Sequence, residues 1–278
     1  MGKLTFALKA ALKVPVDGST ISPDNLAGKS LKEIRSLQVW EGNRKVPLED
    51  LFEVEEESAG AQNGLTIELN GDLSKVKCLG AGMRQGTIIA NGNVGMFLGK
   101  GMEGGSMKVK GNAGSWLGSE MKGGTIEVEG NAGDFVGSAY RGSRRGMRGG
   151  MIIIKGNCGV EAGCWMGGGF IEVAGNCGIF PGIHMVGGTI LVRGDCEGRV
   201  GAEMKGGKIV ILGRVPSVLP SFEIEEIRKA VKVGGEKIQG PFYLFTGDLN
   251  EEGEGKLFVS VASNPHLKWW ENYLEEWV

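Results

Sequence analysis

The chain has 278 residues, 41% of them hydrophobic, with 31 basic and 33 acidic side chains and a formal charge of -2, so it can bury a real core yet carries no general field to draw in nucleic acid or an anionic membrane. No run approaches the roughly 20 apolar residues a membrane helix needs, and the opening MGKLTFALKAALKVPV, broken by Lys9 and Lys13, has no small-residue cleavage site. These features predict a cytoplasmic protein without nucleic-acid or membrane partners.

Residues 1–63 have ordinary composition and read as a capping segment, in which SPDNLAGKSLKEIRSL predicts a turn followed by a short helix. From residue 64 to residue 213 the composition changes. Of the 51 glycines, 40 lie there, far above the usual share and without the three-residue period of collagen.

The glycines repeat. Gly86, Gly105, Gly124, Gly150, Gly169, Gly188 and Gly207 each open a strand-like segment, spaced by 19 residues except for one step of 26. A second column runs Gly92, Gly111, Gly130, Gly156, Gly175 and Gly194, and a third runs Gly99, Gly118, Gly137, Gly163, Gly182 and Gly201. Glycines at such corners predict turns with positive φ. Between corners the apolar residues alternate, as in Ile126/Val128, Ile152/Ile154 and Ile171/Val173, and Met83, Met102, Met121, Met147, Met166, Met185 and Met204 form one further column. A fixed period with alternation predicts coils stacked so that each strand pairs in parallel with its copy about 4.8 Å away. The fold expected is all-β: a right-handed parallel β-helix, or β-solenoid, of seven to eight coils, flanked by small α/β caps. Lys108 beside Glu127, and Lys110 beside Glu129 and Lys155, would then form cross-strand pairs.

Two departures from the repeat stand out. The long step adds seven residues within SAYRGSRRGM, placing Tyr140, Arg141, Arg144 and Arg145 on a loop with Arg148 just beyond; this is either a solvated basic loop or an arginine fork for carboxylates. The outward positions of later strands become Met151, Ile153, Phe170 and Leu191, which predicts either a docking face or cover by the chain's own terminal segment.

Residues 214–278 read as a second cap and docking tail, with PSFEIEEIRKAV predicting a helix and HLKWWENYLEEWV an amphipathic segment carrying Trp269, Trp270 and Trp277. These tryptophans either seal the stack or anchor a partner. Other signals read as structural. GKGMEG fits the dinucleotide fingerprint, but a strand follows where a helix must. The Asn93, Asn112, Asn131, Asn157 and Asn176 column suits turns and ladders. Cys158, Cys177 and Cys196 share a column with Ala113 and Ala132, a slot for small buried side chains rather than a metal site. His184 lies in a variable corner whose equivalents are Gly101, Glu120, Trp165 and Glu203, and no recurring Ser/His/Asp or Cys/His set appears, so no catalytic or metal residues are assigned.

The repeat carrying GNVG, GNAG and GNCG resembles the glycine-repeat β-helix at the C-terminus of glutamate synthase. With its flanks and the segment GPFYLFTGDLNEEGEGKLFV, the whole chain resembles the C-subunit family of formylmethanofuran dehydrogenases. That resemblance implies a complex that reduces carbon dioxide and joins it to methanofuran. It also implies that tungsten or molybdenum pterin, iron–sulfur clusters and a binuclear metal site belong to other subunits, which are pterin-binding, ferredoxin-like and amidohydrolase-like. This chain itself would hold no cofactor. A stand-alone glutamate synthase-type domain and the equivalent component of a methylotroph formyltransferase/hydrolase complex are the alternatives.

Overall fold

The computed structural model describes residues 2–57 and 64–274. The chain is mostly β. In the N-terminal part β1 (Lys3–Leu8), β2 (Val16–Asp17), α1 (Pro23–Leu26), α2 (Leu31–Ser36), β3 (Gln38–Glu41), β4 (Arg44–Pro47), α3 (Leu48–Leu51) and β5 (Phe52–Glu57) follow in order. The helix predicted over SPDNLAGKSLKEIRSL is two short ones. Ser22 caps α1, and Ser30 with Glu33 forms a reciprocal capping box on α2.

The glycine-rich part supplies β6 (Thr66–Asn70), β7 (Val76–Lys77), β8 (Thr87–Ala90), β9 (Ser106–Val109), β10 (Thr125–Val128), β11 (Arg148–Ile154), β12 (Gly167–Val173), β13 (Gly187–Val192) and β14 (Lys208–Ile211). Except for β7, which joins a small sheet with β2, β3 and β4, these lie side by side in a thirteen-stranded sheet. One inner ladder runs through it: Leu4, Ile67, Ile88, Met107, Ile126, Ile152, Ile171, Ile190 and Ile209 are successive register partners, all parallel. Every member is buried, as are all seven methionines of the repeat column. The 26-residue step leaves Ile126 opposite Ile152, so the extra residues are expelled without shifting the register. A slip by one residue would turn the whole apolar set outward, which is why an alternating ladder holds its register firmly.

A second line of single bridges joins Leu73, Val94, Ala113 and Ala132, then Cys158, Cys177 and Cys196. The glycines serve two different needs. Gly118, in the third column, has φ of +60°, and a Cβ there would lie 2.4 Å from Ile152 Cδ1. Gly130, in the second, does not have positive φ; its missing Cβ makes room for Asn112 Oδ1, which would lie 2.4 Å away. Positive φ, expected often at such corners, is confined to some columns, and close backbone approach explains the second. There each Asn side-chain oxygen accepts the next Asn backbone N–H, as from Asn131 to Asn112 and from Asn157 to Asn131, both at 2.8 Å.

The sheet continues beyond residues 64–213 on both sides. β1 inserts between β5 and β6, and the charged β5 closes that edge. At the other end come β15 (Glu223–Val233), β16 (Glu236–Gly247) and β17 (Gly255–Ser260), with β17 parallel to β14 and the other two antiparallel. The helix expected over PSFEIEEIRKAV is thus mostly strand β15. Its partner decides this: Gly234 and Gly235, with φ of +57° and +88°, make the tight hairpin turn that places β15 against β16, and cross-strand pairing overrides local helix preference.

That hairpin folds over the outer face of the later repeats. Leu191, Val210, Val231, Val233, Phe242, Leu244 and Phe258 form a second core, with Phe170 packed against it. The turn sits on Phe170: a Cβ at Gly234 would come within 2.7 Å of the ring. Of the four outward apolar residues, Leu191 is 0% exposed and belongs to the chain's own core, not free for docking, while Phe170 is half-buried beneath the turn. Met151 and Ile153 remain half-buried.

Charges on the uncovered outer face pair diagonally rather than directly across. Lys108 Nζ lies 3.0 Å from Glu129, and Lys155 Nζ lies 3.9 Å from Glu127, although Lys108 and Glu127 are register partners. Side chains on strands lean along the strand direction, and a long lysine reaches the next acid along.

Candidate docking corner

Residues 139–146 leave the wall and return through backbone bonds, Ala139 N–H to Cys164 C=O at 3.0 Å and Gly146 N–H to Trp165 C=O at 2.9 Å. The loop lies over a column of rings. Phe97 stacks on Trp116 with centroids 5.2 Å apart, and Trp116 on Phe135 at 4.5 Å. Tyr140 sets its edge against Phe97 and Trp116 at 5.6 and 5.9 Å. Further along, Trp165 stacks on His184 at 4.4 Å, and His184 Nδ1 is 3.1 Å from Glu203.

All the column residues hold positive φ, Phe97 at 62°, Trp116 at 59°, Phe135 at 63°, Glu161 at 55°, Phe180 at 65° and Arg199 at 51°, and so do Trp165 and His184 beside it, at 58° and 55°. Such backbone costs a non-glycine residue roughly 1–2 kcal/mol each. The repeat geometry imposes it, because the corner hydrogen bonds to the next repeat continue through the same positions, as from Trp116 N–H to Asp134 C=O at 2.8 Å.

Cations sit on the rings. Lys100 Nζ is 5.1 Å from the Tyr140 centroid and 5.7 Å from that of Phe97; Arg141 lies 5.9 Å over Trp116, Arg144 5.5 Å over Trp165 and Arg199 5.4 Å over Phe180. Each contact is worth about 0.5–1 kcal/mol at an exposed site. Arg145 and Arg148 are exposed without a ring beneath them. Among the described residues none of these six cations has a carboxylate within 4.0 Å, whereas Lys108, Lys155 and Arg193 of the outer face are paired.

The ring column is interrupted by Glu161, which occupies the place after Phe135 and before Phe180. The gap beneath the loop is a pocket of about 160 Å³ walled by Trp116, Phe135, Tyr140 and Trp165, with Glu161 and Cys164 also lining it. Burial and the neighbouring Glu161 carboxylate push the Cys164 thiol up to about 12, so it stays protonated and is no nucleophile at neutral pH. Stacked guanidinium groups keep their in-plane N–H forks free for carboxylates. The corner is equipped to bind anions.

The sequence placed the arginine loop but not the rings under it. Phe97, Trp116, Phe135 and Phe180 stand five residues after the second-column glycines Gly92, Gly111, Gly130 and Gly175, a periodic signal that alignment on glycine and methionine alone passes over. At the C-terminal end a 3-10 segment, Pro265–Tyr273, buries Trp270 and leaves Trp269 and Tyr273 exposed at 51% and 50%. Trp270 therefore seals the core, Trp269 faces out stacked on it at 4.5 Å, and Trp277 lies outside the described residues. In the cysteine column, Cys158 Sγ is 3.2 Å from Cys177 Sγ. That hydrogen bond and burial hold the Cys158 thiol well above its ordinary range. Among the described residues no three His, Cys, Asp or Glu side chains converge to hold a metal ion, and no helix is long and apolar enough to cross a membrane.

No protein-family model matches the chain. Over 90 residues it is 48% identical to the C subunit of molybdenum-containing formylmethanofuran dehydrogenase 1 from Methanothermobacter marburgensis, a match covering 32% of this chain and 22% of that one. Over 98 residues it is 42% identical to the C subunit of tungsten-containing formylmethanofuran dehydrogenase 2 from Methanothermobacter wolfeii, covering 35% and 36%. The matched part thus spans well under half the length of these curated relatives. Over nearly its whole length the chain is similar to a chain in the crystal structure of the formyltransferase/hydrolase complex FhcABCD from Methylorubrum extorquens in complex with methylofuran. The TM-score is 0.81 and the identity 30%, covering 92% of this chain and 99% of that one.

Proposed function

The chain belongs to the C-subunit family of formylmethanofuran dehydrogenases, and from that membership we propose that it is a non-catalytic scaffold subunit of such a complex in the cytoplasm, the complex reducing carbon dioxide and joining it to methanofuran. One observation carries the scaffold reading. The most elaborate surface, the ring-and-cation corner, offers groups for binding and no reacting group. We read the stacked repeats as a right-handed parallel β-helix of seven to eight coils; the unbroken inner ladder from Ile67 to Ile209 supports this.

In this reading the tungsten or molybdenum pterin, the iron–sulfur clusters and the binuclear metal site sit in pterin-binding, ferredoxin-like and amidohydrolase-like partners. Among the described residues no three His, Cys, Asp or Glu side chains converge to hold a metal ion, and the cysteine column is packed in the wall. Docking falls to Arg141, Arg144, Arg145 and Arg148 with Tyr140, to the half-buried Met151 and Ile153, and to Trp269 at the C-terminal end. The arginine loop would grip carboxylates of a partner or of methanofuran.

A second reading, the equivalent component of a formyltransferase/hydrolase complex, is favoured by the nearly full-length match to a chain of that assembly. Tagging this chain in its native host, purifying it gently and identifying the co-eluting chains by mass separates the two. A pterin-binding chain and a ferredoxin-like chain support the dehydrogenase, and their absence beside an amidohydrolase supports the second reading. Elution as a lone monomer would remove the scaffold proposal.

A further inference from the structure

Five features of one corner belong together: Lys100, Arg141 and Arg199 rest on rings of the column, Tyr140 sets its edge against it, and Arg144 rests on the neighbouring Trp165. From Phe97 to Phe180 the column climbs four repeats, about 19 Å at about 4.8 Å per parallel strand. The cations along it have no carboxylate partner among the described residues, while Glu161 is the only acid lining the pocket beneath the loop. A row of stacked, unpaired cations held on a rigid wall is preorganised for an anion that arrives from outside.

The length selects the kind of anion. A single phosphate or small dicarboxylate reaches one or two of these groups, whereas an extended polypeptide at about 3.3 Å per residue covers about 19 Å with about six residues. Single-stranded nucleic acid, which also favours cations beside aromatics, needs open ring faces for its bases. Here the faces are taken: Trp116 is sandwiched between Phe97 and Phe135 and is 9% exposed. We infer that this corner binds an extended acidic segment of a partner polypeptide, its carboxylates engaging Lys100, Arg141, Arg144 and Arg199 in succession. The inference rests on the proposed role of the chain as one member of a multi-chain complex, and gives that role its recognition chemistry.

A fluorescently labelled hexaglutamate peptide, titrated by anisotropy against the full-length chain at low salt, tests it. Binding should be saturable, weaken with salt, and fall about tenfold or more in the double variant Arg141→Glu with Arg144→Glu. It should fall less with lysine at both positions, which keeps charge but loses the fork, and be unchanged in Arg228→Glu, a site already paired with Glu226. Hexaglutamate that fails to bind, that binds the double glutamate variant as well as the wild type, or that binds less tightly than a six-residue thymidine oligonucleotide overturns the inference. The source of the carboxylates is read from the purified complex. Loss of an identified partner chain from the double variant supports docking of a polypeptide; an intact complex that has lost hexaglutamate binding overturns it in favour of a free polycarboxylate. If the wild-type chain elutes alone yet binds hexaglutamate, the scaffold role fails while the anion site stands.

Discussion

Strands β9 and β10 and strands β12 to β14 share one inner ladder and differ only in what their outer residues meet. On β9 and β10 the outward Lys108 and Glu127 face solvent and pair diagonally with Glu129 and Lys155. On β12 to β14 the outward Phe170, Leu191 and Val210 lie beneath the β15–β16 hairpin. Inner positions therefore define the stack, and outer positions record who covers it. An apolar outer face in a repeat wall is evidence of a lid, and the lid here is the chain's own.

The contrast can be broken most forcefully at Leu191. Leu191→Asp buries an unpaired charge under the hairpin and should cost about 3–5 kcal/mol, enough to lower the urea midpoint sharply, whereas Lys108→Leu on the open face should leave that midpoint unchanged. If both behave alike, the hairpin does not seal the face. The inner ladder should ignore the contrast: Ile152→Ala and Ile190→Ala, from either side of it, should each cost about 2–5 kcal/mol by the cavity they leave, measured by the same denaturation. Gly118→Ala, strained by positive φ and by contact with Ile152, should cost about 1–3 kcal/mol, and Ile152→Ala in the same chain should relieve part of that.

The smallest effect concerns how the hairpin is anchored. Tyr243 on β16 donates its hydroxyl to Glu271 at 2.8 Å, and Tyr243→Phe should cost about 0.5–1.5 kcal/mol. Burial, then the Glu271 hydrogen bond, pushes the Tyr243 phenol from 10.0 up to about 12. A group raised on folding stabilises fully below its unfolded value and loses that contribution as pH climbs through its folded one. The difference in stability between wild type and Tyr243→Phe should therefore be constant below about pH 10 and shrink towards pH 12, as followed by denaturation at each pH. A difference that widened there would contradict the burial of this hydroxyl.

The two regions also mark what the sequence makes legible. Period-two alternation and the methionine column specify the inner ladder outright, because a one-residue slip would expose every member. The outer apolar residues say that a cover exists without naming it. Its identity depended on Gly234-Gly235, a two-residue hairpin turn that the helix-like EIEEIRKAV masks. The arginines of the loop stand out as an insertion, yet what gives them order is a ring every repeat at Phe97, Trp116 and Phe135. Those rings take a backbone conformation that only tertiary stacking enforces, so local propensity carries no trace of it.

Hydroxyl-radical footprinting read by mass spectrometry, on the isolated chain and on the purified complex, tests most directly whether this protein seals its own apolar face and docks through its ring-and-cation corner and exposed tail. Leu191, Phe242 and Phe258 should resist oxidation in both states, while Tyr140, Trp269 and Tyr273 should be oxidised in the isolated chain and protected in the complex. Oxidation of Leu191 and Phe242 in the isolated chain, lost only on assembly, together with no change at Tyr140, would contradict that division of the surface.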